Sequence, residues 1–554
     1  MKFAALFAAF ALAALPVQAA APKPAPKVTL LFVADGLRYD SVTADSAPTL
    51  WKLKHDGVDF AASHSLYPTI TTVNASAIAT GHYIGDTGNF GNALYSGFPV
   101  AEAGNLPVAI MENDSVLGQM NAHFGGNYLN ETSLLAAARQ HGFATAALGK
   151  VGPTSIQDVT QRDGAGTIVI DDAVGTPAGI AIPADLTAAI QAAGLPATAP
   201  KTATPNFAQE QYLVAVATKV VLPRLLASGK PVLMVFWSRD PDASQHAEKD
   251  GSINGPGGRA GIKDADDTLA ALLAGLKDHG VKTPNVFVTA DHGFSTIDET
   301  SHGATLASGF VAADLAAALN LPNAHGAIGA DPKNPDVMVI PNGGSDLIYL
   351  PGANAKDMAA KIAVALAAKD YTGAIFANDA LGDVPGTLPM SAVNLRGTAL
   401  TQQPSMVIGF ASHEVAGCQP LLMCTAEFAD TSLVTGQGMH GSFSRADTRN
   451  FMAAMGPAFK RGFVDDAPIS NADITPTLAH ILGFTIAAKG DLTGRAITEA
   501  LAKGKTVSVT KGWIASTAPL PDIGKQFLEY QQVGGTRYFD AAGIPARTVG
   551  LSAH

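Results

Sequence analysis

The chain of 554 residues has only two cysteines, Cys418 and Cys424, only 15% charged residues, and no surplus of base: 36 Lys and Arg stand against 47 Asp and Glu, a net charge of −11. Two sulfurs with no completing pair nearby argue against a cysteine-built zinc site, and their close spacing in CQPLLMC fits a small disulfide loop in an oxidising compartment, two reduced thiols being the alternative. The acidic balance argues against binding nucleic-acid duplexes, which rests on Lys and Arg neutralising phosphates. A small phosphate-bearing substrate stays compatible, because a bound metal outweighs global charge locally.

Long apolar runs are also scarce. The one at residues 3–15 follows Met1-Lys2 and precedes the small residues 19–21, the pattern of a secretory leader, and it is short for a bilayer span. Residues 1–20 are therefore expected to be a signal peptide, and the mature protein to be periplasmic or secreted with no membrane span. A monomer or homodimer is the default expectation.

What is abundant is apolar residue, 47% of the chain, enough for a large core. Residues 28–34 (VTLLFVA), 231–237 (PVLMVFW) and 285–290 (NVFVTA) are short apolar runs of the kind buried parallel strands make, each followed by acidic or His residues. Helical spacing appears at 131–141 and 264–279. Strand alternating with helix implies an α/β fold: a mostly parallel central sheet with helices on both faces, whose sites lie at the carboxyl ends of the strands. The expected division is a main domain over 21–505, with insertions at about 163–205 and 296–435 around the site, and a C-terminal arm over 506–554.

The chemistry lies in four loops that carry Asp35, Asp242 with His246, Asp291 with His292, and His440. Singly, an Asp after a strand is commonly a turn or cap residue, and a lone His a satisfied polar group. Together, three carboxylates and three imidazoles suffice for two transition metals, with zinc best suited and Mn or Fe as substitutes. A pair of such ions about 4 Å apart activates a bound hydroxyl and polarises a phosphoryl oxygen, so phosphoryl or sulfuryl transfer is the natural reaction class. Thr71 is placed to be the nucleophile; the alternative reading makes it a helix N-cap before residues 73–80.

The segments VADGLR (33–38), YPTITTVNASAIATGH (67–82), DPDASQH (240–246), TADHGFS (289–295) and GMHGSF (438–443) resemble, in order, the metal-site motifs of the alkaline phosphatase superfamily, in particular its type I phosphodiesterase/nucleotide pyrophosphatase branch. The resemblance implies an alkaline phosphatase-like fold and makes Asp242, His246 and His440 ligands of one zinc and Asp35, Asp291 and His292 ligands of the other. It makes Thr71 the nucleophile and a ligand of the second zinc, and Asn92 the donor to a non-bridging phosphate oxygen. The expected activity is hydrolysis of phosphate diesters or nucleotide pyrophosphates through a phospho-threonine.

Lys150 resembles the lysine that reaches the phosphate in monoesterase and phosphonate-hydrolysing relatives, which keeps those two activities as alternatives; its other reading is a solvent-facing lysine after a strand. The chain departs from the family after the nucleophile, where Thr72-Val73-Asn74-Ala75 replaces Phe-Pro-Asn-His. Thr69 and Thr72 are reserve nucleophiles, and Arg239 and His302 lie close enough in sequence to the ligands to be considered as substrate contacts. A sulfatase is disfavoured because its C/S-x-P-x-R motif is missing. An inactive binding protein is disfavoured because nucleophile and six ligands are all present.

Overall fold

The computed structural model describes residues 27–249, 252–298, 300–301, 304–352 and 354–554. The expected signal peptide and His302 lie outside the described residues.

The chain is built on an eight-stranded sheet of β1 (Val28–Ala34), β2 (Val58–Phe60), β3 (Ala144–Gly149), β4 (Ile168–Asp171), β5 (Val232–Ser238), β6 (Asn285–Thr289), β7 (Met452–Met455) and β8 (Phe463–Asp465), in the spatial order β8-β2-β7-β6-β1-β5-β3-β4. Only β7 runs against the others. The sheet is therefore mostly parallel, as the apolar runs predict. Alternate residues of β1 enter two different cores: Leu31 and Val33 pack with helix α1 (Thr71–Thr80), and Leu30 and Phe32 pack with helix α2 (Pro256–Asp278). Burial on both faces is what makes the strands read as unbroken apolar runs rather than as alternating ones.

Two helices differ in extent from their sequence patterns. The one expected at 131–141 is Leu134–Gln140, because Ser133 caps it through the amide of Ala136, while the carboxylate of Glu131 is taken by the amides of Lys489 and Gly490. Helix α2 begins at Pro256, before the apolar periodicity does; proline suits a first helical turn, where its missing N–H is not needed.

Part of the stretch 163–205 belongs to the main sheet, as its edge strand β4. Within 296–435 lies a second, seven-stranded and mostly antiparallel sheet with its own core, packed against helices Phe310–Leu319 and Ala355–Ala367. The last residues form a three-stranded antiparallel sheet, Val509–Ala515, Phe527–Val533 and Thr536–Gly543. Side chains tie this sheet to the rest: Asp540 accepts a hydrogen bond from His64 at 2.9 Å, and Gln526 bonds the amide of Ile375 at 2.8 Å. Cys418 and Cys424 are joined in a disulfide. No helix among the described residues is long and apolar enough to cross a membrane.

Candidate active site and metal centre

Strand register assembles the site. Neighbours β6, β1, β5 and β3 run parallel, with Val33 beside Thr289, Ala34 beside Ser238 and Trp237 beside Gly149, so their carboxyl ends lie in one row. From that row come Asp291 and His292, then Asp35, then Asp242 and His246, then Lys150. Backbone bonds lock the loops together: the amide of Asp35 donates to Ser238 and that of Asp242 to the carbonyl of Asp35, at 3.2 and 2.9 Å.

Each aspartate has one oxygen satisfied and one left bare. Asp35 Oδ2 accepts from the Trp237 indole at 2.8 Å, and Asp291 Oδ1 from the amides of Gly36 and His292 at 3.0 and 3.1 Å. Asp242 Oδ2 accepts from Lys150 at 3.1 Å. The remaining oxygens, Asp35 Oδ1, Asp242 Oδ1 and Asp291 Oδ2, are buried without a hydrogen-bond donor among the described residues.

The histidines are arranged in the complementary way. Nδ1 of His246, His292 and His440 each donates to a carbonyl, of Gly438, Gly293 and Thr69, at 2.8, 2.9 and 2.8 Å. A carbonyl only accepts, so Nδ1 carries a proton, and in the neutral ring the Nε2 lone pair faces the site. These lone pairs stand against carboxylate oxygens: His246 and His440 are 3.2 and 3.5 Å from Asp242 Oδ1, and His292 is 3.5 Å from Asp35 Oδ1 and 3.3 Å from Asp291 Oδ2. Bare carboxylate oxygens facing bare imidazole nitrogens in a buried place cost several kcal/mol per ion unless a cation lies between them. The donor set fits divalent transition metals, with outer oxygens and Nδ1 atoms fixed by a second layer of bonds.

Donor atoms fall into two tight groups, Asp35/Asp291/His292 and Asp242/His292/His440, each within 4.8 Å. His292 thus stands between the groups, its ring stacked on His440 at a centroid distance of 3.5 Å. His246 is the more solvent-facing of the imidazoles, with a side chain 23% exposed. This division differs from the sequence-based triads in giving His292 a place on both sides.

Charge follows the same pattern. Burial, reinforced by the neighbouring Asp291, raises the Asp35 carboxyl well above its ordinary range, and burial pushes Asp291 up to about 7. Burial also pushes Asp242 up, but the charges of Lys150 and His246 outweigh it and hold this carboxyl well below the usual range. Burial depresses His292 and, with His292 beside it, His440, which leaves both imidazoles neutral, the form that binds metal. For Lys150, burial is outweighed by Asp242, Asp35 and Glu112, so its ammonium is held charged. Lys150 is therefore not solvent-facing: its Nζ lies 3.0, 3.0 and 3.1 Å from Asp35, Glu112 and Asp242.

Thr71 is buried at the first position of α1, whose N-cap is Ile70. Its hydroxyl does not cap the helix; it lies 3.2 Å from His292 Nε2. The reserve nucleophiles are committed elsewhere, Thr69 to the carbonyl of Ser442 and Thr72 to that of Gly91, at 2.8 and 3.0 Å. Asn92 Oδ1 accepts from the amide of Thr72 at 3.0 Å, which turns its Nδ2 outward as a donor. That donor meets Glu112 Oε2 at 3.3 Å. Sequence reasoning missed Glu112, which belongs to no motif and sits in a turn. Arg239 is bound to Asp172 at 2.6 Å.

Residues 29–391 match the family described as Type I phosphodiesterase / nucleotide pyrophosphatase. The chain belongs to that family. It is thus a phosphoric ester hydrolase of the alkaline phosphatase superfamily, and its α/β architecture agrees. No curated protein matches the chain. The matched region contains every candidate residue except His440, which lies beyond it and comes to the site through the bond to Thr69.

Proposed function

We propose that the protein is an exported, two-zinc phosphodiesterase or nucleotide pyrophosphatase that works through a covalent phospho-threonine on Thr71. The observation that carries this reading is the convergence of three half-satisfied aspartates and three histidines anchored through Nδ1, with the Thr71 hydroxyl against one of them, His292. Asp35, Asp291, His292, Asp242, His246 and His440 would hold the metals, with Mn or Fe as substitutes for zinc. Such ions, when bound, acidify a hydroxyl and polarise a phosphoryl oxygen.

The chain's own groups do the rest. Thr71 Oγ1 gives up its proton to solvent and attacks phosphorus, forming a P–O bond as the bond to the leaving alcohol or phosphate breaks, and the leaving oxygen takes up a proton from solvent. Asn92 Nδ2 donates to a non-bridging oxygen as charge builds there. Water then displaces Thr71 from phosphorus, regenerating the hydroxyl. Export is supported by the disulfide and by the leader-like residues 1–20.

Monoester hydrolysis is the second reading, supported by the buried cation Lys150 between Asp35 and Asp242. The test compares kcat/KM of the zinc-loaded enzyme on an aryl phosphate monoester, an aryl phosphate diester and a nucleotide pyrophosphate. The diester or pyrophosphate is expected to lead; a dominant monoester rate overturns the first reading in favour of the second.

A further inference from the structure

We propose that Glu112 is a specificity-determining residue that tunes the phosphoryl pocket for monoanionic phosphodiesters and against dianionic monoesters; this rests on the function proposed above.

Glu112 lies in the turn after a hairpin of Ala93–Val100 and Leu106–Ile110, in which Ala93 pairs with Ile110 and the amide of Met111 donates to the carbonyl of Asn92 at 2.7 Å. That register carries Glu112 to the Nδ2 side of Asn92. Its two oxygens then lie against the two protein groups a phosphoryl group would use: Oε2 accepts from Asn92 Nδ2 at 3.3 Å, and Oε1 pairs with Lys150 Nζ at 3.0 Å.

The contact with Lys150 is built into the backbone. Gly152, two residues after Lys150, has φ +90°, and a Cβ there would sit 2.7 Å from Glu112 Cα. Only glycine permits this loop to press against the Glu112 turn.

The consequence is electrostatic. Lys150 faces three carboxylates, and Arg239, the other cation near Glu112, is bound to Asp172. The Glu112 side chain is 30% exposed against 4% for Lys150, so an entering substrate meets the acid before the base. A diester carries one negative charge at phosphorus and a monoester two. The second charge would have to settle beside the Glu112 carboxylate, where the two side-chain cations, Lys150 and Arg239, are already paired with acids. A lysine that in sequence suggests monoester hydrolysis is thus neutralised by an acid that sequence does not flag.

The test uses metal-loaded full-length enzyme, with kcat/KM for 4-nitrophenyl phosphate and bis(4-nitrophenyl) phosphate, and calorimetric binding of inorganic phosphate. Glu112→Gln is expected to raise the monoester-to-diester ratio about tenfold or more and to tighten phosphate binding by a similar factor, on the scale of one charged hydrogen bond. Glu112→Asp, which keeps the charge, should keep the ratio near wild type. If Glu112→Gln loses its fold by circular dichroism, Glu112→Ala removes the same charge and carries the same readings. An unchanged ratio together with unchanged phosphate affinity overturns the proposal. If the wild type hydrolyses neither ester, the proposed function fails instead, and the phosphate-binding comparison still decides the role of Glu112.

Discussion

The Nδ1 of His440 donates to the carbonyl of Thr69 at 2.8 Å, joining the last of the site's four loops to the segment two residues before Thr71. The same bond fixes the tautomer that turns Nε2 of His440 toward Asp242. The proposed nucleophile and the proposed metal ligand are thereby positioned by one another, although Thr71 and His440 lie 369 positions apart in the sequence.

Replacing Thr71 with Ala is expected to reduce phosphodiester hydrolysis by about a thousandfold or more, as removal of a covalent nucleophile does, while zinc content is retained. Thr69 and Thr72 cannot substitute, since both hydroxyls are bonded to carbonyls. Steady-state kinetics with metal analysis checks this. Wild-type rates in the variant would remove Thr71 from the mechanism.

The bare carboxylate oxygens predict a metal-dependent stability. Without metal the buried oxygens Asp35 Oδ1, Asp242 Oδ1 and Asp291 Oδ2 have no hydrogen-bond donor among the described residues; zinc at a thousand times its Kd should add about 4 kcal/mol. Thermal unfolding should shift up with zinc and back with chelator. In Asp291→Asn the zinc-induced shift should shrink, and an undiminished shift would place the metal elsewhere.

Gly152→Ala tests the packing of the Lys150 loop. Positive φ and a Cβ 2.7 Å from Glu112 Cα together predict a loss of about 1–3 kcal/mol in denaturant unfolding. A variant as stable as wild type would show that the loop does not press on Glu112.

The C-terminal sheet should detach first in acid. Burial pushes the Asp540 carboxyl up, but the hydrogen bond and charge of His64, with Arg445 and Gln531, outweigh it and hold the group well below the ordinary range. A carboxyl depressed in the folded state contributes stability that is complete above its unfolded value, about 3.9, and is lost as pH falls from there toward the folded value. Asp540→Asn should therefore lower the urea midpoint at pH 7, with the gap to wild type closing below about pH 4. A gap independent of pH would contradict this.

How much of this was legible in sequence depended on the kind of signal. Strands β1, β5 and β6 were readable because burial on both faces leaves uninterrupted apolar runs, and the acids that follow them were readable as a constellation. The place of His292 between two donor groups was not, since it depends on ring stacking against His440 across 148 residues of sequence. For Lys150 sequence allows both a phosphate contact and a solvent-facing lysine, and the three carboxylates around it, which lie far apart in the chain, exclude the second. Glu112 was invisible because a lone acid in a turn has no pattern; only the hairpin register and the glycine at 152 bring it to Asn92. Of α2 only the part from residue 264 on was legible, because Pro256-Gly257-Gly258 carries no apolar period.

The most direct test of the central claim is mass spectrometry of enzyme quenched in acid during turnover of a phosphodiester. A covalent adduct, phosphorus with its one retained ester group, is predicted on the peptide containing Thr71 and absent from Thr71→Ala. An adduct on another residue, or none under conditions where product release of the first leaving group runs ahead of the second, would contradict the account.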